Sequence, residues 1–291
     1  MRCLADWINT RGMAAHDRGE IDRAVVLYRR AARLDPGWTV PWYNLGLLAK
    51  ERRDWTVSLQ HNQEAVRRDA GNAPAWWNLG IAATALSNWA EARRAWAAYG
   101  IKLPAGTGEI VENFGPTPIR INPDGDAEVI WTRRIDPARA VITSVPLPES
   151  GHRYQDLLLH DGAPNGYRQF DGREVAVFDA IEVLKPSRLG TYEATVHVGE
   201  AEDLAALEET FAAAGAAAED WSSSVRFICR QCSEGRPHEG HHDEPEEATG
   251  EHRIGIAAGG SEMAVDLLRS WSAAAPGRVA GEVTVLLPPP A

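Results

Sequence analysis

The chain has 291 residues, 44% of them hydrophobic and 24% charged, with a formal net charge of −11. At about 100–150 residues per domain this length suits two or three folded domains, and no apolar run approaches the ~20 residues that a membrane-spanning helix needs. The start, MRCLADWINTRG, carries charge early and has no apolar stretch of signal-peptide length, so the sequence predicts a cytoplasmic protein. Charge is uneven: residues 1–104 sum to +5, residues 105–190 to −4 and residues 191–291 to −12. An acidic C-terminal third repels phosphate backbones, and the mildly basic first third has no concentrated basic stripe, which argues against nucleic acid as a partner.

An internal period of 34 residues dominates the first third. Trp42, Asn44, Leu45 and Gly46 recur as Trp76, Asn78, Leu79 and Gly80, and one step back lands on Gly12. Further along each unit, Ala24, Ser58 and Ala92 align, then Tyr28, Asn62 and Trp96, then Ala31, Ala65 and Tyr99, with Pro36, Ala70 and Pro104 closing the units. Small residues at these places let two antiparallel helices approach, while rings fill the wider gaps between pairs. One such pair cannot bury its apolar stripe alone, and three stacked pairs can. Eight of the eleven tryptophans fall in this third, where they are expected to pack between repeats.

This pattern resembles the tetratricopeptide repeat family over residues 5–104, with Ile8 and Arg11 as departures in an atypical first unit. The resemblance implies a three-repeat α-solenoid whose first helices line a concave, peptide-binding face. Candidates for that face are Asn9, Met13 and His16, then Val40, Tyr43, Asn44, Leu47 and Lys50, then Trp77, Asn78, Ile81 and Thr84. Asn44 and Asn78 stand out because a carboxamide offers both a donor and an acceptor to a peptide backbone. The family's subclass that grips chaperone C-terminal carboxylates needs basic residues alongside asparagines. Only Asn44 fits, so chaperone-tail binding is not expected.

After Pro104 glycines and prolines interrupt the helical period, and short apolar runs rich in β-branched residues follow at 118–121, 128–135, 140–145, 156–159, 174–178 and 181–184. They predict a small β barrel or sandwich over 105–190. Two polar loops there hold His152, Asp156, His160 and Asp161, which could converge as metal ligands or as an acid–base pair, although turns are rich in such residues for backbone reasons.

From residue 191 the expected order is strand 192–198, helix 201–214, strand 222–229, strand 252–258, helix 261–273 and strand 279–287, a ferredoxin-like α+β sandwich over 191–291. An insertion at 229–252 opens with Cys229 and Cys232 and continues through His238, His241, His242 and His252. Two thiolates two residues apart grip one ion, and later imidazoles complete a tetrahedron. Cys229, Cys232, His238 and His242 are therefore the expected zinc ligands, with His241 as the alternate to His242 and His252 behind them. Four protein ligands would make the zinc structural. The whole reads as a multidomain α+β adaptor or scaffold for a protein or peptide partner, with a metal-dependent enzyme or small-molecule sensor as the alternative.

Overall fold

The computed structural model describes residues 2–125, 127–170, 172–200, 202–222 and 250–290, and the chain divides into two compact units, Met1–Ile110 and Val111–Ala291. The first unit is all helix: α1 Arg2–Asp17, α2 Ile21–Leu34, α3 Thr39–Glu51, α4 Trp55–Arg68, α5 Ala73–Ala85 and α6 Trp89–Tyr99. Side-chain oxygens cap three of them, Asp54 on Val57 N, Asn72 on Ala75 N and Asn88 on Glu91 N, satisfying amides that the first turn of a helix leaves open.

The three helix pairs share one joint. A Cβ added at Gly12 would lie 2.7 Å from the Tyr28 ring, at Gly46 2.6 Å from the Asn62 carboxamide, and at Gly80 2.5 Å from the Trp96 ring. Glycine is thus what allows each second helix to lie against the first. The turn inside each pair also repeats, with a left-handed residue at Gly19 (φ 72°), Arg53 (φ 57°) and Ser87 (φ 55°), again 34 apart. Past Gly100, itself left-handed, the chain runs back beside α6, where Arg93 donates to the carbonyls of Pro104 (3.3 Å) and Gly108 (2.6 Å).

The second unit opens with β1 Pro116–Ile121, β2 Glu128–Arg134, β3 Arg139–Ile142, β4 Leu157–His160, β5 Tyr167–Phe170, β6 Arg173–Ala176 and β7 Phe178–Lys185. Strands β1-β2-β3-β4-β7 close into a barrel by a parallel pairing of β1 with β7, around Ile119, Ile121, Ile130, Ala140, Ile142 and Leu158. The β5–β6 hairpin stands off that path. The sequence reading has no strand at 167–170; the signal was the Asp171-Gly172 dipeptide, which favours a tight hairpin turn.

The chain continues through β8 Gly190–Val198, α7 Glu202–Ala213, β9 Ala217–Asp220, β10 Gly250–Ala258, α8 Ser261–Ala273, β11 Val279–Ala280 and β12 Thr284–Leu287. The sheet order is β11-β8-β10-β9, with β12 also on β8 and every pairing antiparallel. Both helices bury Leu207, Phe211, Leu268 and Trp271 against Tyr192, Val196, Ile254 and Ile256. The strand expected at 222–229 lies, but for residue 222, outside the described residues; among the described residues the strand before the insertion that pairs with β10 is 217–220. Alanines with weak strand preference occupy β9, and its pairing with β10, a tertiary contact, overrides that preference. Trp221 fastens the sheet to the barrel: its Nε1 donates to Val145 O at 3.0 Å, and its ring lies over Gly255, where a Cβ would overlap it.

Candidate functional site

In the helical unit the residues expected to face a ligand fall on α1, α3 and α5 at helical spacing, so each helix contributes one stripe. Polar contacts join the first two stripes. Asn44 Nδ2 donates to Asn9 Oδ1 at 3.1 Å, Asn9 Nδ2 lies 3.6 Å from Met13 Sδ, and His16 Nε2 meets Glu51 Oε2 at 2.6 Å. Both pairs that link α1 to α3 are 35 residues apart, one more than the repeat period. Helical side chains lean toward the N-terminus, so a residue on one helix meets the position before its own equivalent on the previous one. Glu51 is a member that sequence reasoning missed, and pairing at i and i+35 would have found it.

Burial grades along the stripes. Met13 is 48% exposed, and Tyr43, Asn44 and Leu47 are half-buried. Asn9 and Lys50 are buried, as are Asn78, Ile81 and Thr84 on α5. Trp77 is half-buried, its ring edge-on to Trp96 at 5.0 Å and to Tyr99 at 4.8 Å. The accessible part of the stripes therefore lies on α1 and α3. It offers one carboxamide, Asn44, held by the buried Asn9, with a thioether, a phenol ring and an aliphatic side chain, a mixture suited to peptide backbone and apolar side chains.

The barrel histidines sit in separate surroundings. His152 Nδ1 lies 3.6 Å from Asp156 Oδ2, while Asp156 accepts the backbone amides of Arg153 and Ser187 and so organises the turns around β4. His160 is fully buried, with Nδ1 2.6 Å from Asp161 O and its ring stacked on Phe178 at 5.4 Å. Burial, helped by the Arg134 charge, pulls its pKa down to about 3, so the ring is neutral. Arg134 lies over Phe114 and Phe178 at 5.5 and 5.3 Å and donates to the carbonyls of Asp136 and Pro137.

Cys229, Cys232, His238, His241 and His242 lie outside the described residues. Among the described residues no three of His, Cys, Asp and Glu gather as a metal cage. His252 is not in a loop: it sits within β10, 5% exposed, with Nδ1 3.0 Å from Asp220 Oδ2 at the end of β9. A cleft of about 640 Å³ lies between α8 and residues 280–283, over Leu268 and Val283. Two of its polar residues are already engaged, Arg269 with Asp266 and Ser272 with Arg278 O, which leaves it shape with little chemistry.

No family model and no curated protein matches the chain. Similar solved structures include the second tetratricopeptide domain of Spaghetti (RPAP3) bound to an HSP90 peptide, 19% identical over 34% of this chain and 91% of that one, with a TM-score of 0.32. The tetratricopeptide domain of Arabidopsis OM64 is 22% identical over 33% of this chain and 84% of that one, with a TM-score of 0.31. That of Sgt2 from Aspergillus fumigatus is 22% identical over 33% and 64%, also at 0.31. In this chain itself a helical N-terminal unit is followed by a β-rich one, a mixed α+β chain. No helix among the described residues is long and apolar enough to cross a membrane.

Proposed function

We propose that the protein is an adaptor that captures a peptide or a segment of a partner protein along α1 and α3 of its array. The observation that carries this reading is the half-open stripe of Met13, Tyr43, Asn44 and Leu47, backed by the Asn44–Asn9 hydrogen bond that holds one carboxamide in a fixed orientation. The buried Asn9, Lys50, Asn78 and Ile81 and the ring of Trp77 act in this reading as the floor that shapes the stripe. The second unit is read as a small barrel joined to a ferredoxin-like sandwich, a reading supported by its strand–helix–strand–strand–helix–strand order and by a sheet in which the last strand lies beside the first. Its proposed role is to meet a second partner, with one structural zinc on Cys229, Cys232, His238 and His242 as a staple supported by their sequence spacing.

A displayed library of random peptides, selected on the full chain, tests the adaptor reading. Enrichment of a peptide motif whose binding falls at least tenfold in Tyr43→Ala and Asn44→Ala variants is the expected result. Equal enrichment on the wild type and both variants would remove the stripe from consideration. The HSP90 peptide SRMEEVD, bound by the Spaghetti domain, serves as a negative control, since the array lacks the basic residues of a carboxylate clamp.

A further inference from the structure

The first helix of the array exposes a row of side chains that the later repeats bury. Leu4 and Trp7 on α1 are 51% and 55% exposed, Arg11 is exposed and Ala14 is half-buried. One repeat later the same places hold Trp38, Pro41, Leu45 and Leu48, all buried, and two repeats later the places of Trp7 and Arg11 hold the fully buried Ala75 and Leu79. What covers them is the second helix of the preceding pair. Leu45 and Leu48 pack with Ala24, Val25 and Tyr28 of α2, and Ala75 and Leu79 with Ala65 and Val66 of α4. The row on α1 continues that helix-on-helix interface, and there it is open. A polar outer face is what keeps a terminal repeat soluble, and Leu4 and Trp7 break it.

The spacing of the row, three then four then three residues, is that of a two-helix seam. Read in reverse it complements itself. An antiparallel second α1 centred on residue 9 sets Leu4 against Ala14 of the second copy, a large side chain against a small one, and Trp7 against Arg11, a ring against a cation. Arg11 lies over the Trp7 ring of its own helix at 4.8 Å, and across a twofold axis each guanidinium can serve the other ring as well. Head-to-tail stacking of two arrays would need the far end free, and the chain itself takes that place. Arg93, the counterpart of the Leu59 that packs on the α5 cluster, holds the carbonyls of Pro104 and Gly108. We infer that the protein forms a twofold dimer through antiparallel pairing of α1 with α1 of a second copy. Asn9, Met13 and His16 lie on another side of α1, at about 100° per residue, so the dimer leaves the proposed peptide stripe free. One helix pair is a small interface, which puts the dimer at the weak, micromolar end of the range.

Sedimentation equilibrium of the full chain, from low to several hundred micromolar, is the test. The wild type should show a reversible monomer–dimer equilibrium. Trp7→Lys sets a cation against Arg11 of the second copy and should weaken the dimer at least tenfold, while Arg11→Glu, which loses the ring contact, should weaken it less. An equimolar mixture of the two variants should dimerise more tightly than either alone, because the introduced lysine then faces the introduced glutamate and the remaining Trp7 faces the remaining Arg11. Circular dichroism and thermal melting of each variant separate a lost contact from a lost fold. A wild type that stays monomeric throughout would overturn the dimer and leave the row to a helix of another protein. A dimer of unchanged strength in Trp7→Lys, or no gain on mixing, would overturn α1 as its seam.

Discussion

The helical array and the second unit hold themselves together by different means. In the array three glycines 34 residues apart each receive a buried side chain from the next helix, Tyr28, Asn62 or Trp96, and the same joint is made three times. The second unit relies on single, unrepeated buried charges. Asp136 accepts the amides of Ala138 and Arg139 and a guanidinium bond from Arg139, while Arg120 reaches Asp179 at 2.9 Å and Asn165 O at 2.7 Å. A repeated joint degrades one copy at a time, whereas each of these charge contacts is made once.

The largest effects should therefore come from one residue of each kind. Trp96→Ala empties a fully buried ring site and should cost about 3–5 kcal/mol. Asp136→Ala removes the acceptor of the buried amides of Ala138 and Arg139 and one ion-pair contact of Arg139, and should cost about 2–5 kcal/mol. Urea denaturation measures both. A loss below about 1 kcal/mol for Asp136→Ala would mean that the amides of Ala138 and Arg139 find other acceptors and that the second unit does not depend on this carboxylate.

Next in size is a pH effect. The folded state holds the His160 pKa near 3, below its usual 6.5, so folding favours the neutral ring. Its contribution is complete above about pH 6.5 and is lost as pH falls toward 3, because the unfolded chain takes up the proton first. Burial also lowers His61 in the array, and Glu64, Glu91, Glu193 and Asp203 are lowered by ion pairs that fail only below the carboxylate range. Among the described residues His160 and His61 are thus the histidines that act between pH 6.5 and 5, and Glu208, pushed up by burial, acts in the opposite direction as pH falls. His160→Gln should flatten most of the slope of stability against pH in that window, and an unchanged slope would refute the buried neutral ring.

What the sequence disclosed follows the same division. The array was legible because its contacts recur: the glycine, ring and alanine positions at 34-residue spacing are the joints themselves. The links between repeats were not, since Asn9–Asn44 and His16–Glu51 join non-equivalent positions. In the second unit alternating runs located most strands, but the closure of β1 on β7 and the pairing of alanine-rich β9 depend on tertiary contacts that leave no local pattern. His152 and His160 looked alike as loop histidines. One lies beside Asp156 at a turn and the other is stacked in the interior on Phe178, a difference set by neighbours distant in sequence.

Within the array the three joints are not equally tolerant. Gly80→Ala drives a methyl into the rigid Trp96 ring and should cost about 1–3 kcal/mol by overpacking. Gly46→Ala meets the smaller Asn62 carboxamide, whose Nδ2 is bonded to Ser58 O and Oγ, and should cost less because that side chain can turn at the expense of those bonds. Equal losses at both sites would show that the backbones, and not the facing side chains, set the spacing of the pairs.

The smallest expected effect has the opposite sign. The first repeat makes its turn with Gly19, but the second and third force Arg53 and Ser87 into the same left-handed conformation. For a residue with a Cβ that conformation costs about 1–2 kcal/mol, partly offset by the ~0.5–1 kcal/mol of extra entropy that glycine loses on folding. Arg53→Gly and Ser87→Gly should each stabilise the chain by up to about 1 kcal/mol, and together by nearly the sum, since the two turns are separate. Thermal denaturation of the two single variants and the double variant measures this. Destabilisation by either change would show that its side chain secures the turn by contacts worth more than the backbone strain, and would break the equivalence of the three repeats at the very position where their geometry agrees best.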